Sequence, residues 1–581
     1  MFDFKDSEAI GEVLSVETSR VMVRITESEK LQQARVGRLV IVRTFGDEWL
    51  VGLIDKVWRY PVTPPNVDGV DDLLVEETVP VEENGMLVSL VGTYRSREGA
   101  SHNVFTRAVW SMPEIGRPVF GLEGKVLEAF MNIISSRSKS STTQPLELGT
   151  YTIDGRAKAF LDGNRLFQRH AAILGSTGSG KSWTVATLLE VAARLPNANI
   201  IIFDLHGEYQ SLSFAKHYRI AGPNDLKEPD DNVLFLPYWL LSYEDMQALF
   251  IDRSEFSAHN QASIFHDKVK EAKRKALVEM GADDVLQSFT IDSPVPFDFN
   301  EVQNELERLN EEMVPGSSGR EKQGPFHGNF SRLLIRLDLK RNDRRYGFIY
   351  QVPENHMEYE SLHELAGKLM GFGCMEGTVN NGIKVIDFSD VPSDVLPVIV
   401  SLVARLVFQI QFWCDPGPKG DGRHPLLLVC DEAHLYLPKK ENMNPLERRA
   451  LDGFERIAKE GRKYGVALLV VSQRPSDVST TILSQCNNFI SLRLTNRLDQ
   501  AVVKQMMPET LEGLLDVLPT LDVGEAVVVG DSVLLPSRIK INPPTDKPLS
   551  STIDFWDEWT NKAQQSNLEE AVENYRRQAR K

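Results

Sequence analysis

Gly175-Ser-Thr-Gly-Ser-Gly-Lys181-Ser182 stands between the apolar run Ala171 to Leu174 and the apolar-periodic stretch Trp183 to Leu195. A glycine-rich loop joining a buried strand to a helix is a phosphate cradle. Its glycines let backbone N–H groups curl around phosphate oxygens, and the helix N-terminus adds partial positive charge. In such a loop Lys181 reaches the β and γ oxygens and Ser182 offers its hydroxyl to Mg²⁺. The candidate nucleotide-binding residues are therefore Gly175, Ser176, Thr177, Gly178, Ser179, Gly180, Lys181, Ser182 and, opening the helix, Trp183.

A second segment completes the first. Leu426-Leu-Leu-Val-Cys430 is short, fully apolar and rich in β-formers, and it ends in Asp431-Glu432-Ala433-His434. This puts two carboxylates at the carboxyl end of a buried strand. Asp431 is suited to hold the water ligands of Mg²⁺, and Glu432, one residue on, to polarise a water against the γ-phosphate. The two halves together indicate an ATPase using ATP and Mg²⁺.

The 581 residues suggest two to four domains, and 42% hydrophobic with 25% charged residues is ordinary for a globular protein. The N-terminus lacks a basic region followed by an apolar core, and Val395 to Trp413 is interrupted by Pro397, Ser401, Arg405, Gln409 and Gln411, as suits a buried helix of a cytoplasmic protein. Cys374, Cys414, Cys430 and Cys486 lack metal-ligand spacing and read as reduced thiols, and the histidines include no His-x-x-x-His pair, so no zinc is expected. A net charge of −17 argues against a chain that coats nucleic acid with its whole surface, yet leaves room for a basic channel.

Short strands are expected at Ile10 to Val16, Arg20 to Ile25, Val36 to Arg43, Trp49 to Trp58 and Met86 to Tyr94, a spacing that suggests a small β-barrel. The pattern then turns α/β, with strands at Ala171 to Leu174, Ile200 to Phe203, Ile383 to Ile386, Leu426 to Cys430, Val466 to Val471 and Phe489 to Leu492. The expected fold class is α/β, a RecA-like P-loop ATPase core with an N-terminal barrel, a helical insertion and a C-terminal helical brace. Expected boundaries are a barrel over 1–115, a linker over 116–147, core over 148–210, helical insertion over 211–378, core over 379–545 and brace over 546–581.

Gln473, at the end of its strand, is placed to sense the γ-phosphate. Arg456, Arg462, Arg474, Arg493 and Arg497 are all candidates for a finger that neutralises charge on the transferred phosphoryl group. Asp204-Leu-His206-Gly-Glu208-Tyr209 reads as a hydrogen-bonded turn supporting the pocket, with a metal site as the alternative. Arg332 to Arg345 holds the densest basic segment, readable as a DNA-channel lining or as a solvated helix face paired with nearby acids.

Leu166-Phe-Gln-Arg169-His170 running into the glycine loop, Asp204-Leu-His-Gly-Glu-Tyr209, Leu427-Leu-Val-Cys-Asp-Glu-Ala-His434, and Ile457-Ala-Lys-Glu-Gly-Arg462 running to Ser472-Gln-Arg-Pro475 resemble the HerA-type ATPases of the HerA and FtsK superfamily over nearly the whole chain. The resemblance implies a homohexameric ring that moves double-stranded DNA with ATP. It further implies that Glu432 is the catalytic base, that Arg462 is the finger supplied across the subunit interface, and that Arg169 acts near the nucleotide in its own subunit. Leu205 stands where members often carry proline. Relatives pair with a nuclease or a sirtuin-like NAD-hydrolysing subunit in DNA end processing or anti-phage defence, so an effector docked at the barrel is expected. The alternative is a regulatory ATPase scaffold that activates an effector without processive translocation. A superfamily 2 helicase, taken from Asp-Glu-Ala-His434 alone, fits the motif order less well.

Overall fold

The computed structural model describes residues 2–44, 46, 48–62, 81–95, 104–138, 146–152, 155–226, 230–315, 320–371, 382–417, 422–441, 443–507, 512–550, 554–560 and 567–578. Cys374 and the polar stretch 139–145 lie outside them. The chain divides into two compact units: 1–192 with 471–476 and 483–545, and 193–470 with 477–482 and 546–581.

The first unit begins with a closed barrel. Its strand order is Arg20–Ile25, Gly11–Val16, Pro118–Gly121, Leu39–Arg43, Glu48–Val62 and Val81–Arg95, the last pairing back onto the first, with Val104–Thr106 added at the side. Alternation drives closure: Val21, Val23 and Ile25 point inward beside Val40, Val42, Leu50, Ile54, Met86 and Val88, while Met22 faces out. The expected linker over 116–147 is corrected here. Pro118–Gly121 is a barrel strand that pairs with Gly11–Val16 and Leu39–Arg43, and Gly124–Ser138 is a helix whose Phe130 packs edge-on against Tyr94 and Phe105. Four residues of strand give too short an alternation to see in sequence.

The same unit carries a sheet ordered Lys158–Leu161, Leu146–Tyr151, Ser537–Ile541, Glu525–Gly530, Asn488–Ser491 and Ala171–Leu174, antiparallel except for the last pair. The second unit carries parallel strands in the order Val233–Leu234, Lys216–Ile220, Gly382–Asp387, Asn199–Asp204, Leu426–Cys430 and the first five residues of Val466–Ser472, whose last two belong to the first unit. Strands such as Leu426–Cys430 are buried along their whole length, which is why their sequences are continuous apolar runs. Lys216–Ile220 and Val233–Leu234 belong to this sheet, so helical structure does not begin at 211 as expected; the helices run from Tyr243–Phe250 to Ser361–Met370. Ser242 and Asp245 form a capping box at the first of them. In the basic segment Arg336 pairs with Glu255, Arg341 donates to the amides of Gln303 and Asn300, and Arg345 pairs with Asp343. Leu396–Trp413 is long and apolar enough to cross a membrane by length and composition, but 67% of it is buried inside the fold.

Two lysines are buried in the second unit. Lys273 donates to the carbonyls of Ile291 and Ser293 at 2.7 Å each, and Lys384 to Asn199 Oδ1 at 2.9 Å. Burial pushes both down to about 8, against 10.5 for an ordinary lysine. Below pH 8 the folded chain carries the cost of two buried charges; between about 8 and 10.5 the unfolded chain holds protons that the folded one has released. Stability to urea is therefore expected to rise with pH across that window. The Lys273→Met, Lys384→Met double variant should flatten the rise, and an unchanged slope would remove these lysines as its cause.

Candidate active site

In the first unit the glycine loop is built by what surrounds it. Gly178 and Gly180 sit at φ +70° and +102°, where a Cβ is strained, and a Cβ on Gly175 would meet Ser179 Oγ at 2.5 Å and Leu492 Cβ at 2.9 Å. The loop is wired to the ends of neighbouring segments. Gly175 N donates to Ser472 O at 3.2 Å, Ser176 N to Arg493 O at 2.8 Å, and Gly524 N to Ser179 O at 2.9 Å. Lys181 is buried, its Nζ 3.4 Å from Ser176 O, so the ammonium lies across the loop mouth, with Ser182 half-buried beside it. The buried Ser179 hydroxyl has no hydrogen-bond partner among the described residues. An open ring of N–H donors, a lysine across it and a serine at the first helical turn fit a triphosphate with Mg²⁺.

Gln473 is brought to the same loop: Thr177 Oγ1 donates to Gln473 Oε1 at 2.5 Å. Thr495, which the sequence did not single out, touches Ser176 through Oγ1 to Oγ at 3.4 Å. No pattern in the sequence links residues 493, 495 and 524 to a loop more than 300 positions away.

In the second unit Asp431 and Glu432 follow Leu426–Cys430, both buried. Burial, then the charges of Glu432, Glu208 and Asp204, hold the Asp431 carboxyl well above the usual carboxylate range, although Glu432 N–H donates to its Oδ1 at 3.0 Å. Glu432 has φ +45°, the left-handed region, at about 1–2 kcal/mol for a residue with a side chain. Its Oε2 lies 3.3 Å from His434 Nδ1, and Tyr436 OH donates to Asp431 O at 3.0 Å. Asp431 is the carboxylate expected to help hold a divalent cation. Among the described residues no group of three or more His, Cys, Asp or Glu side chains is arranged to hold a metal. The Asp204 carboxylate accepts N–H bonds from His206, Glu208 and Tyr209 around Gly207 at φ +72°, which makes this segment the turn expected of it.

The arginines separate. Arg456 lies over the Phe408 and Phe412 rings and pairs with Glu460, whereas Arg462 is exposed on the short turn Gly461–Tyr464. Arg169 precedes the strand Ala171–Leu174 and the loop follows it, so the two lie at opposite ends of that strand, and the Arg169 guanidinium pairs with Asp531, which also pairs with Arg107 of the barrel unit at 3.5 Å. Within its own chain the Arg169 guanidinium is thus a partner of Asp531.

Residues 146–407 match the family model described as the central domain of helicase HerA. The chain is 30% identical over 393 residues to the DNA double-strand break repair helicase HerA of Sulfurisphaera tokodaii, covering 67% of this chain and 68% of that one. It is 28% identical over 398 residues to the protein of that name from Saccharolobus solfataricus, covering 68% of each chain, and 24% identical over 551 residues to a probable helicase of Methanocaldococcus jannaschii, covering 92% of this chain and 96% of that one. Among solved structures, VirB4 of Thermoanaerobacter pseudethanolicus is 17% identical with a TM-score of 0.44 over 70% of this chain and 98% of that one. The plasmid coupling protein TrwB with ADP and Mg²⁺ is 15% identical with a TM-score of 0.42 over 71% and 94%.

Replacing Glu432 by Gln removes the like charge nearest Asp431 while keeping the side chain's shape. The Asp431 carboxyl should then fall toward its ordinary range, and metal-free chain should unfold at higher temperature at neutral pH. A lower midpoint in calorimetry would show that the charge repulsion is already neutralised.

Proposed function

Because this chain belongs to the HerA helicase family, we propose that it is an ATP-hydrolysing motor that binds double-stranded DNA and translocates it as a homohexameric ring, working with a nuclease or NAD-hydrolysing effector in DNA end processing or anti-phage defence. The observation that carries the reading is the phosphate loop, open and braced, with Lys181 across its mouth and Gln473 on its rim. Gly175 to Lys181 bind the triphosphate through backbone N–H groups and one ammonium. Mg²⁺, were it held there, would supply positive charge against the phosphoryl group being transferred. Ser182 and Asp431 are the residues that hold it. Glu432 orients water and accepts its proton. Gln473, bonded to Thr177, reports whether the γ-phosphate is present.

Arg462, exposed at the end of Pro445–Glu460, is the residue we assign to the neighbouring subunit's site. The barrel is the proposed docking surface for an effector, and its exposed Trp110 and Ile115 support that placement.

Steady-state hydrolysis with and without linear double-stranded DNA tests the motor. DNA should stimulate turnover, and Lys181→Ala and Glu432→Ala should each reduce it by about 10²-fold or more. Turnover sensitive to both substitutions yet indifferent to DNA would replace the motor with a regulatory scaffold. For Arg462, mixing inactive Arg462→Ala chains with inactive Lys181→Ala chains should restore part of the lost turnover, because some interfaces then join an intact loop to an intact finger. No recovery in mixed rings would exclude action across the interface.

A further inference from the structure

The turn Gly461–Tyr464 joins the helix Pro445–Glu460 to the strand that opens at Val466, and a glycine pins each of its ends. A Cβ on Gly461 would meet Val466 O at 2.5 Å. Gly465, at φ +75°, donates its N–H to Gly461 O, while its own carbonyl accepts from Leu426 N at 2.8 Å. Between the two glycines Arg462 and Lys463 are exposed and Tyr464 is half-buried.

Tyr464 is the side chain that ties this turn to the fold. Its ring stands edge-on to Phe408, with centroids 5.7 Å apart at 89°, and its centroid is 5.0 Å from that of Phe412, both on the helix Leu396–Trp413. The Arg423 guanidinium covers the ring at 5.1 Å, held there because its Nε donates to Cys414 O at 3.1 Å and an Nη to Phe412 O at 3.4 Å. Gln411 Nε2 donates to His424 O at 2.6 Å, so the segment bearing Arg423 is fastened to that same helix. Arg456 in turn lies over the Phe408 and Phe412 rings. Two guanidiniums thus hold the aromatic faces that a third cation would otherwise seek, and Arg462 stays in solvent.

We propose that Tyr464 is the positioning residue for Arg462: its ring, clamped by Phe408, Phe412 and Arg423, sets the angle at which the turn presents that guanidinium to a neighbouring copy of the chain. The inference rests on the assignment of Arg462 to the neighbouring subunit's site. A charge that must meet a developing one loses most of its value when misplaced by about 1 Å, and an exposed arginine is aimed by the backbone that carries it.

The test is ATP turnover by full-length chains, alone and in mixed rings. Tyr464→Ala should lower kcat by about 10²-fold and leave KM for ATP within about twofold, because its own phosphate loop is untouched, whereas Tyr464→Phe, which keeps the ring, should stay within about twofold of the parent. Mixed with Lys181→Ala chains, Tyr464→Ala should regain part of the lost turnover. Mixed with Arg462→Ala chains it should regain none, since every interface then lacks an aimed arginine. Full kcat in Tyr464→Ala, or recovery with Arg462→Ala, would overturn the positioning role. Failure to recover with Lys181→Ala, while Arg462→Ala does recover with it, would overturn that role alone and leave the assignment of Arg462 standing. If Arg462→Ala and Lys181→Ala do not restore each other, the assignment itself fails and the role of Tyr464 with it. Should Tyr464→Ala not fold, Arg423→Gln, which uncovers the ring and keeps Phe408 and Phe412, decides the matter: a several-fold loss with the same mixing pattern is expected, and unchanged turnover would overturn the proposal.

Discussion

The hydrogen bonds that hold the glycine loop open are the constraint on which the rest depends. A loop of this composition has, in isolation, many backbone states and a large entropy to lose. Here three bonds fix it: Gly175 N to Ser472 O, Ser176 N to Arg493 O and Gly524 N to Ser179 O, each partner lying at or next to the end of a different strand. The donors left facing the mouth are thereby set before any ligand arrives. Preorganised donors cost no rearrangement at the moment of reaction, which is the source of their electrostatic value.

The carboxylate side shows the opposite economy. Asp431 and Glu432 are buried, and burial first, then the nearby charges of Glu432, Glu208 and Asp204, hold the Asp431 carboxyl well above its usual range. Glu432 also occupies a left-handed backbone position. A structure optimised for stability alone would remove both features; their coincidence at consecutive residues is the pattern of strain and crowded charge that collects at functional sites.

Much of this was legible from the sequence where a short run carried its own physics. Ala171–Leu174 and Leu426–Cys430 are found at their expected residues because an uninterrupted apolar run bounded by turn formers has few other readings. Arg20–Ile25 is likewise found because its alternation is complete. The strands Leu146–Tyr151, Lys158–Leu161, Lys216–Ile220 and Ser537–Ile541 were not anticipated. They mix polar and apolar residues on sheet margins, where neighbouring strands rather than intrinsic preference decide the conformation.

By itself the sequence determined the chemistry on offer: a glycine loop with Lys181 and Ser182, paired carboxylates at 431 and 432, and an amide at 473, because those groups lie within a few residues of recognisable strand ends. Tertiary structure alone decided which of the remaining groups are used. It set Arg169 on Asp531, gave Arg456 to Phe408 and Glu460, left Arg462 exposed, and laid the turn at Val523 and Gly524 against a loop more than 300 residues earlier. A side chain's partner depends on which strands become neighbours. That depends on the packing of the whole sheet, which no local pattern encodes.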